Sequence, residues 1–345
     1  MDQIRDGDFP SVSDYGVTRS GETQGAAATD ANPAFTFESN KRTVFSLTPK
    51  GNPPDGGWPL VMFTAFLQQT DDVDKFFEIA SLADCTAAGG SNQATTDIGD
   101  CSASRYRNIL FKQLVDAGFA VILPGPWLST IDYYSWFHMP DPDNLQKSEN
   151  CETQTVVAYR EQQCRRFWPG PDKAFLGPLI DDIAGNKYGP VDMDRFSLGG
   201  FSAGANFLSR QINNYPTMKT PADRDFPNIR AGFFLAGGSY MCYVTDEKTC
   251  PEGKTEEIYD SGERPWSEHP PSILFQATND DVAPPTATSY YNAVLKEHDV
   301  PTQLVQYDLT PDFMESYYGS ANFPTHSWTP QMINPGVAWI EKYGR

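Results

Sequence analysis

The segment that decides the fold is RFSLGGFSAGANFLSRQI, from Arg195 to Ile212. Its first half is a short apolar run, and its second half repeats apolar residues at the spacing of one helix face. Such patterns are typical of a buried strand and of an amphipathic helix. Between them lies the pattern G-x-S-x-G, formed by Gly200, Ser202 and Gly204. The segment therefore predicts a strand, a tight turn that carries Ser202, and a helix.

A serine hydroxyl is a poor nucleophile until a neighbouring base removes its proton, and it must also project clear of the backbone. Glycines at 200 and 204 would let the strand and the helix pass closely, which exposes the Ser202 hydroxyl at the carboxyl end of the sheet. We therefore predict that Ser202 is a catalytic nucleophile. The alternative is a tight glycine turn with an incidental serine, because the bare pattern also arises by chance.

The rest of the chain alternates between apolar strands and amphipathic helices. Strands are predicted at WPLVMFTAF, FAVILPGPW, AGFFLAGG, SILFQATNDD and TQLVQYD. Helices are predicted at FKQLVDAG, in AFLGPLIDDIAGNKYG with its stripe of Phe175, Leu179 and Ile183, and at PTATSYYNAVLKEH. Continuous apolar strands that alternate with helices indicate an α/β fold, with a mostly parallel sheet covered on both faces.

The 345 residues, of which 39% are hydrophobic, could build one large α/β domain or two modest ones. We find no internal repeat and predict a single domain over residues 1–345. Residues 1–40 are predicted to form an extended arm or edge strands. Residues 83–107 and 129–171 fit neither element pattern, and loops of this length in compact proteins are usually binding loops or lids.

The turn around Ser202 resembles that of the α/β-hydrolases, in which an acid and then a histidine follow the serine along the chain, each in a loop after a later strand. The strand within SILFQATNDD delivers two adjacent carboxylates, Asp280 and Asp281, which point in different directions. We predict Asp280 as the acid, because its distance to Pro284 matches the usual spacing of such an acid loop. Asp281 is the alternative.

The chain has four histidines, and only His298 and His326 follow the acid. His298 lies at the polar end of a predicted helix, which favours a solvated surface side chain. His326 follows the last predicted strand and precedes the terminal helix, so we predict it as the general base. The expected order along the chain excludes His138 and His269.

Acyl transfer also places negative charge on the substrate oxygen, which backbone N–H groups must stabilise. The first residue after the nucleophile, Ala203, begins a helix whose first amides lack intrahelical partners. We predict Ala203 as one donor of the oxyanion hole. The second donor is predicted in the loop Thr64-Ala65-Phe66-Leu67, at Phe66.

These motifs resemble the serine esterases of the α/β-hydrolase superfamily, in particular the polyhydroxybutyrate depolymerase and feruloyl esterase group. The resemblance rests on PDKAFLGPLIDDIAGNKYGPVDMDRFSLGGFSAGA, on ILFQATNDDVAP and on THSWTP, and with WPLVMF it covers about two thirds of the chain. It implies an α/β-hydrolase fold and the extracellular hydrolysis of carboxylic esters without a cofactor. Many relatives have His-Gly where this chain has Thr64-Ala65, and the two inserts have no counterpart.

We therefore predict a secreted serine esterase that acts on small-molecule or polymeric esters, with Trp136, Tyr240 and Trp328 as candidate substrate-binding residues. Packing in the core or in a lid would explain such aromatic side chains equally well. A serine peptidase of the prolyl-oligopeptidase kind is a second possibility, although such enzymes usually carry a large accessory domain. The third is a non-catalytic binding protein with the same fold.

Charge and cysteine spacing bear on partners and compartment. The net charge of −19 argues against binding to nucleic acid or to anionic membranes, and no apolar run is long enough to span a bilayer. Six cysteines form three close couples, Cys85/Cys101, Cys151/Cys164 and Cys242/Cys250. We expect an exported monomer whose signal peptide is missing from this numbering. Reduced cysteines in a cytosolic enzyme are the alternative.

Two acidic stretches, DPDN and NDD, could attract calcium. Neither has the ligand spacing of a calcium-binding loop, and solvated turns explain both. We predict no metal requirement.

Overall fold

The computed structural model describes residues 15–25, 40–64, 106–125, 127–128, 134–135, 170–212, 219–237, 265–280, 283, 285–318, 321 and 325–345. Ten strands lie in these ranges: β1 Val17–Gly25, β2 Asn40–Thr48, β3 Trp58–Thr64, β4 Ala120–Pro124, β5 Trp127–Leu128, β6 Tyr134–Ser135, β7 Val191–Phe201, β8 Ile229–Leu235, β9 Ser272–Ala277 and β10 Thr302–Tyr307.

Eight of these strands form one sheet, in the order β1-β2-β4-β3-β7-β8-β9-β10. The first two strands pair antiparallel, and β2 is also antiparallel to β4. From β4 to β10 every neighbouring pair is parallel. The carboxyl ends of β3, β7, β8, β9 and β10 therefore meet at one edge of the sheet, with β7 near its centre. This confirms the predicted mostly parallel sheet.

The described helices are α1 over residues 106–116, α2 Gly170–Ala184, α3 Ala203–Gln211, α4 Pro285–Glu297, α5 Pro311–Tyr318 and α6 Ile333–Tyr343. Short 3₁₀ turns occur at Trp266–Glu268 and Pro330–Met332. The predicted stripe on α2 is confirmed, because Phe175, Leu179 and Ile183 are all fully buried.

Two hydrophobic cores lie on opposite faces of the sheet, because successive side chains of a strand point to opposite sides. On β3, Val61 and Phe63 pack with residues of α1 and α6, whereas Leu60 and Met62 pack with residues of α2, α3 and α4. The helices therefore cover both faces, as the sequence predicts.

The edge strand β1 is fixed by a buried polar contact as well as by its pairing with β2. The Thr23 hydroxyl lies 2.7 Å from the Tyr188 hydroxyl and donates to Asp182 Oδ2 at 2.6 Å. Burial raises the pKa of Tyr188 to about 12, so its phenol remains neutral and available for this hydrogen bond. The contact joins β1 to α2 and to the turn that precedes β7.

Within residues 1–40, Val17–Gly25 is the edge strand of the main sheet, in agreement with the predicted edge strands, and β2 begins at Asn40. The predicted limits of the two inserts need correction. Residues 106 and 107 are helical, so the first insert ends before 106. Helix α2 begins at Gly170, so the second insert ends before 170, and Tyr134–Ser135 within it pairs with Trp127–Leu128. Sequence composition marks such boundaries poorly, because helix starts without a clear cap leave little signal.

Candidate active site

Ser202 lies in the tight turn between β7 and α3, at the carboxyl edge of the sheet. Its backbone angles are φ 53° and ψ −124°, a region that L-residues with a Cβ rarely adopt. The neighbouring glycines explain how the chain can turn here. A Cβ on Gly200 would lie 2.6 Å from the backbone of Ala205, and one on Gly204 would lie 2.2 Å from the Thr64 carbonyl oxygen. The turn therefore needs glycine at both positions.

Replacing Gly204 with Ala is expected to destabilise the protein by roughly 1–3 kcal/mol, because the new Cβ overlaps the backbone of β3 rather than a movable side chain. Calorimetry would measure this as a lower Tm. Gly185→Ala is the matched control, since a Cβ there meets nothing closer than 3.2 Å. Equal Tm values for the two variants would contradict the steric explanation.

The structure brings Ser202, His326 and Asp280 together. His326 Nε2 lies 2.7 Å from Ser202 Oγ, and His326 Nδ1 lies 2.9 Å from Asp280 Oδ2 and 3.1 Å from Oδ1. An ionised carboxylate can only accept, so Nδ1 carries the proton and Nε2 is left to accept the serine proton. This is the tautomer that a general base requires.

The acid of this constellation is fully buried, and the imidazole is only 12% exposed. Two further donors contact the Asp280 carboxylate. The Ala283 N–H donates to Oδ1 at 2.7 Å, and the Gln276 side-chain amide donates to Oδ2 at 3.1 Å. Sequence reasoning missed Gln276. Its signal was a long polar side chain in a mostly apolar strand, four residues before the acid.

The loop that carries Asp280 is also tied to the end of β10. Asn279 Nδ2 donates to the Leu309 carbonyl oxygen at 3.0 Å, and the Leu309 N–H donates to Asn279 Oδ1 at 3.1 Å. This paired contact fixes the residue directly before the acid. The carboxylate is therefore positioned from both sides, by Asn279 before it and by Ala283 after it.

An aromatic cluster packs against the imidazole of His326. The Phe201 ring stacks on His326 with centroids 5.0 Å apart and also packs against Trp328 at 5.0 Å. Trp328 in turn contacts Phe63 and Phe111 in the core. We predicted Trp328 as a substrate-binding residue, but it is only 3% exposed. It packs against Phe201, the residue that stacks on the His326 ring.

The predicted oxyanion donor Ala203 is the first residue of α3, where a backbone N–H has no partner within its own helix. The Ser202 N–H, by contrast, is engaged by the Leu235 carbonyl oxygen at 2.9 Å. Thr64 fixes the start of α3, because its hydroxyl donates to the Gly204 carbonyl oxygen at 3.0 Å. Thr64 thus links the end of β3 to the turn that carries Ser202.

The other histidines that the structure describes lie elsewhere. His298 is exposed at the end of α4, as predicted, and its ring stacks on Trp266 with centroids 4.2 Å apart. His269 is buried at the amino end of β9, where its Nε2 lies 3.2 Å from the Tyr291 hydroxyl. Several predicted residues lie outside the described residues, namely Phe66, Trp136, His138, Tyr240, Asp281 and all six cysteines.

No helix within the described ranges is both long enough and apolar enough to cross a membrane. Their His, Cys, Asp and Glu side chains form no group of three or more that could hold a metal ion.

Comparison with known proteins adds weak sequence similarity. No protein-family model matches the chain. The chain is 22% identical over 258 residues to a poly(3-hydroxyoctanoate) depolymerase from Pseudomonas fluorescens, an alignment that covers 74% of this chain and 69% of that protein.

Solved esterase structures are similar to the chain at low identity. A thermostable esterase aligns with a TM-score of 0.49 and 18% identity, covering 93% of this chain and 63% of its own. A fungal esterase from Rhizomucor miehei aligns with a TM-score of 0.45 and 13% identity, covering 96% and 85%.

The fold of the chain follows from its own geometry. The sheet order, the parallel strands from β4 to β10 and the strained serine turn after β7 are those expected of an α/β-hydrolase. The acid and the histidine follow the serine in the order of that fold. The chain has the α/β-hydrolase fold, and the proteins to which it is similar are named as a depolymerase and as esterases.

Proposed function

We propose that the protein is a serine carboxylic-ester hydrolase in which Ser202, His326 and Asp280 act as a catalytic triad. The observation that carries this proposal is the hydrogen-bonded chain from the Ser202 hydroxyl through the His326 imidazole to the buried Asp280 carboxylate. Nucleophile, base and orienting acid in this arrangement are the parts that acyl transfer needs.

In the proposed reaction, Ser202 Oγ attacks the carbonyl carbon of the ester while His326 Nε2 takes the serine proton. The resulting imidazolium is stabilised by Asp280 and then gives its proton to the leaving alcohol oxygen as the ester C–O bond breaks. The acyl group remains on Ser202. A water molecule next attacks this acyl-enzyme with His326 again acting as base, which releases the carboxylic acid and restores the serine.

The negative charge on the tetrahedral intermediate needs donors close to Ser202 Oγ. In this proposal the Ala203 N–H supplies one of these donors. Ala203 is the first residue of α3, and the positive end of the helix dipole at this terminus also favours negative charge. We keep the Phe66 N–H as the proposed second donor, since Thr64 at the end of β3 contacts the nucleophile turn.

An ester substrate is favoured by the sequence similarity to a poly(3-hydroxyoctanoate) depolymerase. A polyester or an aromatic ester remains the proposed substrate class, with Trp136 and Tyr240 as proposed substrate contacts. Export is proposed separately from the three close cysteine couples, and an intact mass without reductant would show three disulfides if it is right.

The test of the proposed function is active-site labelling followed by a substrate series. A fluorophosphonate should label the wild-type protein on the peptide that contains Ser202, with a stoichiometry near one. A series from p-nitrophenyl acetate to aryl and polymeric esters should then be hydrolysed faster than the matching amides. Labelling at another residue, or no ester turnover, would refute the proposal. Faster turnover of amides would instead favour a peptidase.

A further inference from the structure

We propose that Gln276 is a positioning residue that sets the Asp280 carboxylate, and through it the His326 imidazole. This inference rests on the proposed function, because it concerns the same triad. Gln276 lies in β9 between Phe275 and Ala277 and is fully buried. A buried amide stabilises the fold only when its donors and its acceptor are satisfied.

The amide nitrogen of Gln276 faces acceptors alone. It lies 3.1 Å from Asp280 Oδ2, and 3.2 Å from the carbonyl oxygens of Ala277 and Ala283. Both backbone polar groups of Ala283 are therefore engaged. Its carbonyl oxygen accepts from Gln276, and its N–H donates to Asp280 Oδ1 at 2.7 Å. Gln276 thus contacts both Asp280 and Ala283.

The amide oxygen of Gln276 has the complementary partner. The hydroxyl of Thr288 donates to it at 2.7 Å, and Thr288 is buried in α4. With a donor on its oxygen and acceptors around its nitrogen, the amide has one consistent orientation, which points the NH₂ group at the catalytic carboxylate. Gln276 therefore joins β9, the acid loop and α4 at the position of Asp280.

This arrangement has a catalytic consequence as well as a structural one. Asp280 must present one oxygen to His326 Nδ1 at hydrogen-bond distance while the imidazole gains and loses a proton at Nε2. Without the Gln276 donor, the carboxylate keeps its hydrogen bond from Ala283 but loses the one on the oxygen that contacts His326, so it holds the imidazole less well in the required tautomer. Gln276 acts on the reaction through Asp280 and touches no reacting atom in the proposed mechanism.

Three variants test the inference with kcat, KM and the pH profile of p-nitrophenyl ester hydrolysis. Gln276→Met keeps the length of the side chain but removes the donor, and kcat is expected to fall roughly tenfold or more with little change in KM. Thr288→Val removes only the hydroxyl that orients the amide, so a smaller fall of about two- to fivefold is expected by the same reasoning.

Gln276→Glu gives a readout that packing alone would not move. Because this position faces the Asp280 carboxylate and two carbonyl oxygens, a glutamic acid can replace the amide donor only while it is protonated, and its ionisation would set two carboxylates against each other. The ratio of the variant kcat to the wild-type kcat is therefore expected to be near one at low pH and to fall as the pH rises. This variant has the size of glutamine, so it remains informative if the methionine variant folds poorly.

Gln306→Met is the matched control. Gln306 is the neighbour of Gln276 in the register of β10 and β9, but it is exposed, and its amide contacts Ser289 rather than the acid. It should keep the wild-type kcat and pH profile. If the Gln276 and Thr288 variants lower Tm but keep that kcat and profile, the inference is wrong and Gln276 is only structural. If Ser202→Ala keeps ester turnover, the proposed function itself fails.

Discussion

Ser202→Ala is expected to lower kcat for p-nitrophenyl esters by roughly 10⁴-fold or more, which leaves only the residual rate that oxyanion donors and substrate binding provide without the nucleophile. The hydroxyl is the only group in the proposed mechanism that can form the acyl-enzyme. Its removal costs the fold little, because alanine keeps the Cβ and loses a single hydrogen bond to His326. Steady-state kinetics, together with an unchanged Tm, would measure this effect.

The control for this variant is Ser267→Ala. Ser267 is an exposed serine in the 3₁₀ turn before β9, at the amino edge of the sheet and thus opposite the catalytic edge. The Ser267→Ala variant should hydrolyse esters and take the fluorophosphonate label as the wild-type protein does. Retention of most of the activity by Ser202→Ala would rule out the proposed nucleophile.

Asp280→Asn is expected to give the second largest loss, roughly 10³- to 10⁴-fold in kcat. An asparagine can keep one oxygen on the Ala283 N–H, but it then presents its NH₂ group to His326 Nδ1. The imidazole would take the tautomer with the proton on Nε2, which cannot accept the serine proton. Because the NH₂ group also faces the Gln276 amide donor, a modest fall in Tm is expected too.

Asp281→Asn is the control, and it also tests the alternative acid considered from the sequence. If Asp280 is the acid, the Asp281 variant keeps an activity close to that of the wild type. A severe loss for Asp281→Asn with a mild one for Asp280→Asn would exchange the two assignments.

The sequence predicted those features that depend on local pattern or on chain order. The strand, the turn and the helix around Ser202 were predictable because apolar periodicity and two glycines specify them locally. Asp280 and His326 were found because each follows a strand whose carboxyl end lies at the same edge of a parallel sheet. The parallel order of the strands thus brings to one edge of the sheet residues that are far apart in sequence.

Features that depend on contacts between distant segments could not be predicted. Trp328, two residues after His326, was predicted as a substrate-binding residue, yet it lies against Phe63 of β3 and Phe111 of α1. Gln276 was not singled out from the sequence, and its partners come from the acid loop and from α4. In both cases the role is set by partners that sequence spacing does not reveal.

The positive φ of Ser202 implies a trade-off between stability and activity at one residue. A side chain held in that conformation costs of order 1–3 kcal/mol relative to glycine, and the surrounding contacts of Gly200 and Gly204 leave the backbone no relaxed alternative. A protein selected for thermal resistance alone would carry glycine at position 202. The strain lowers the free energy of unfolding, and it lies at the residue whose hydroxyl attacks the substrate in the proposed mechanism.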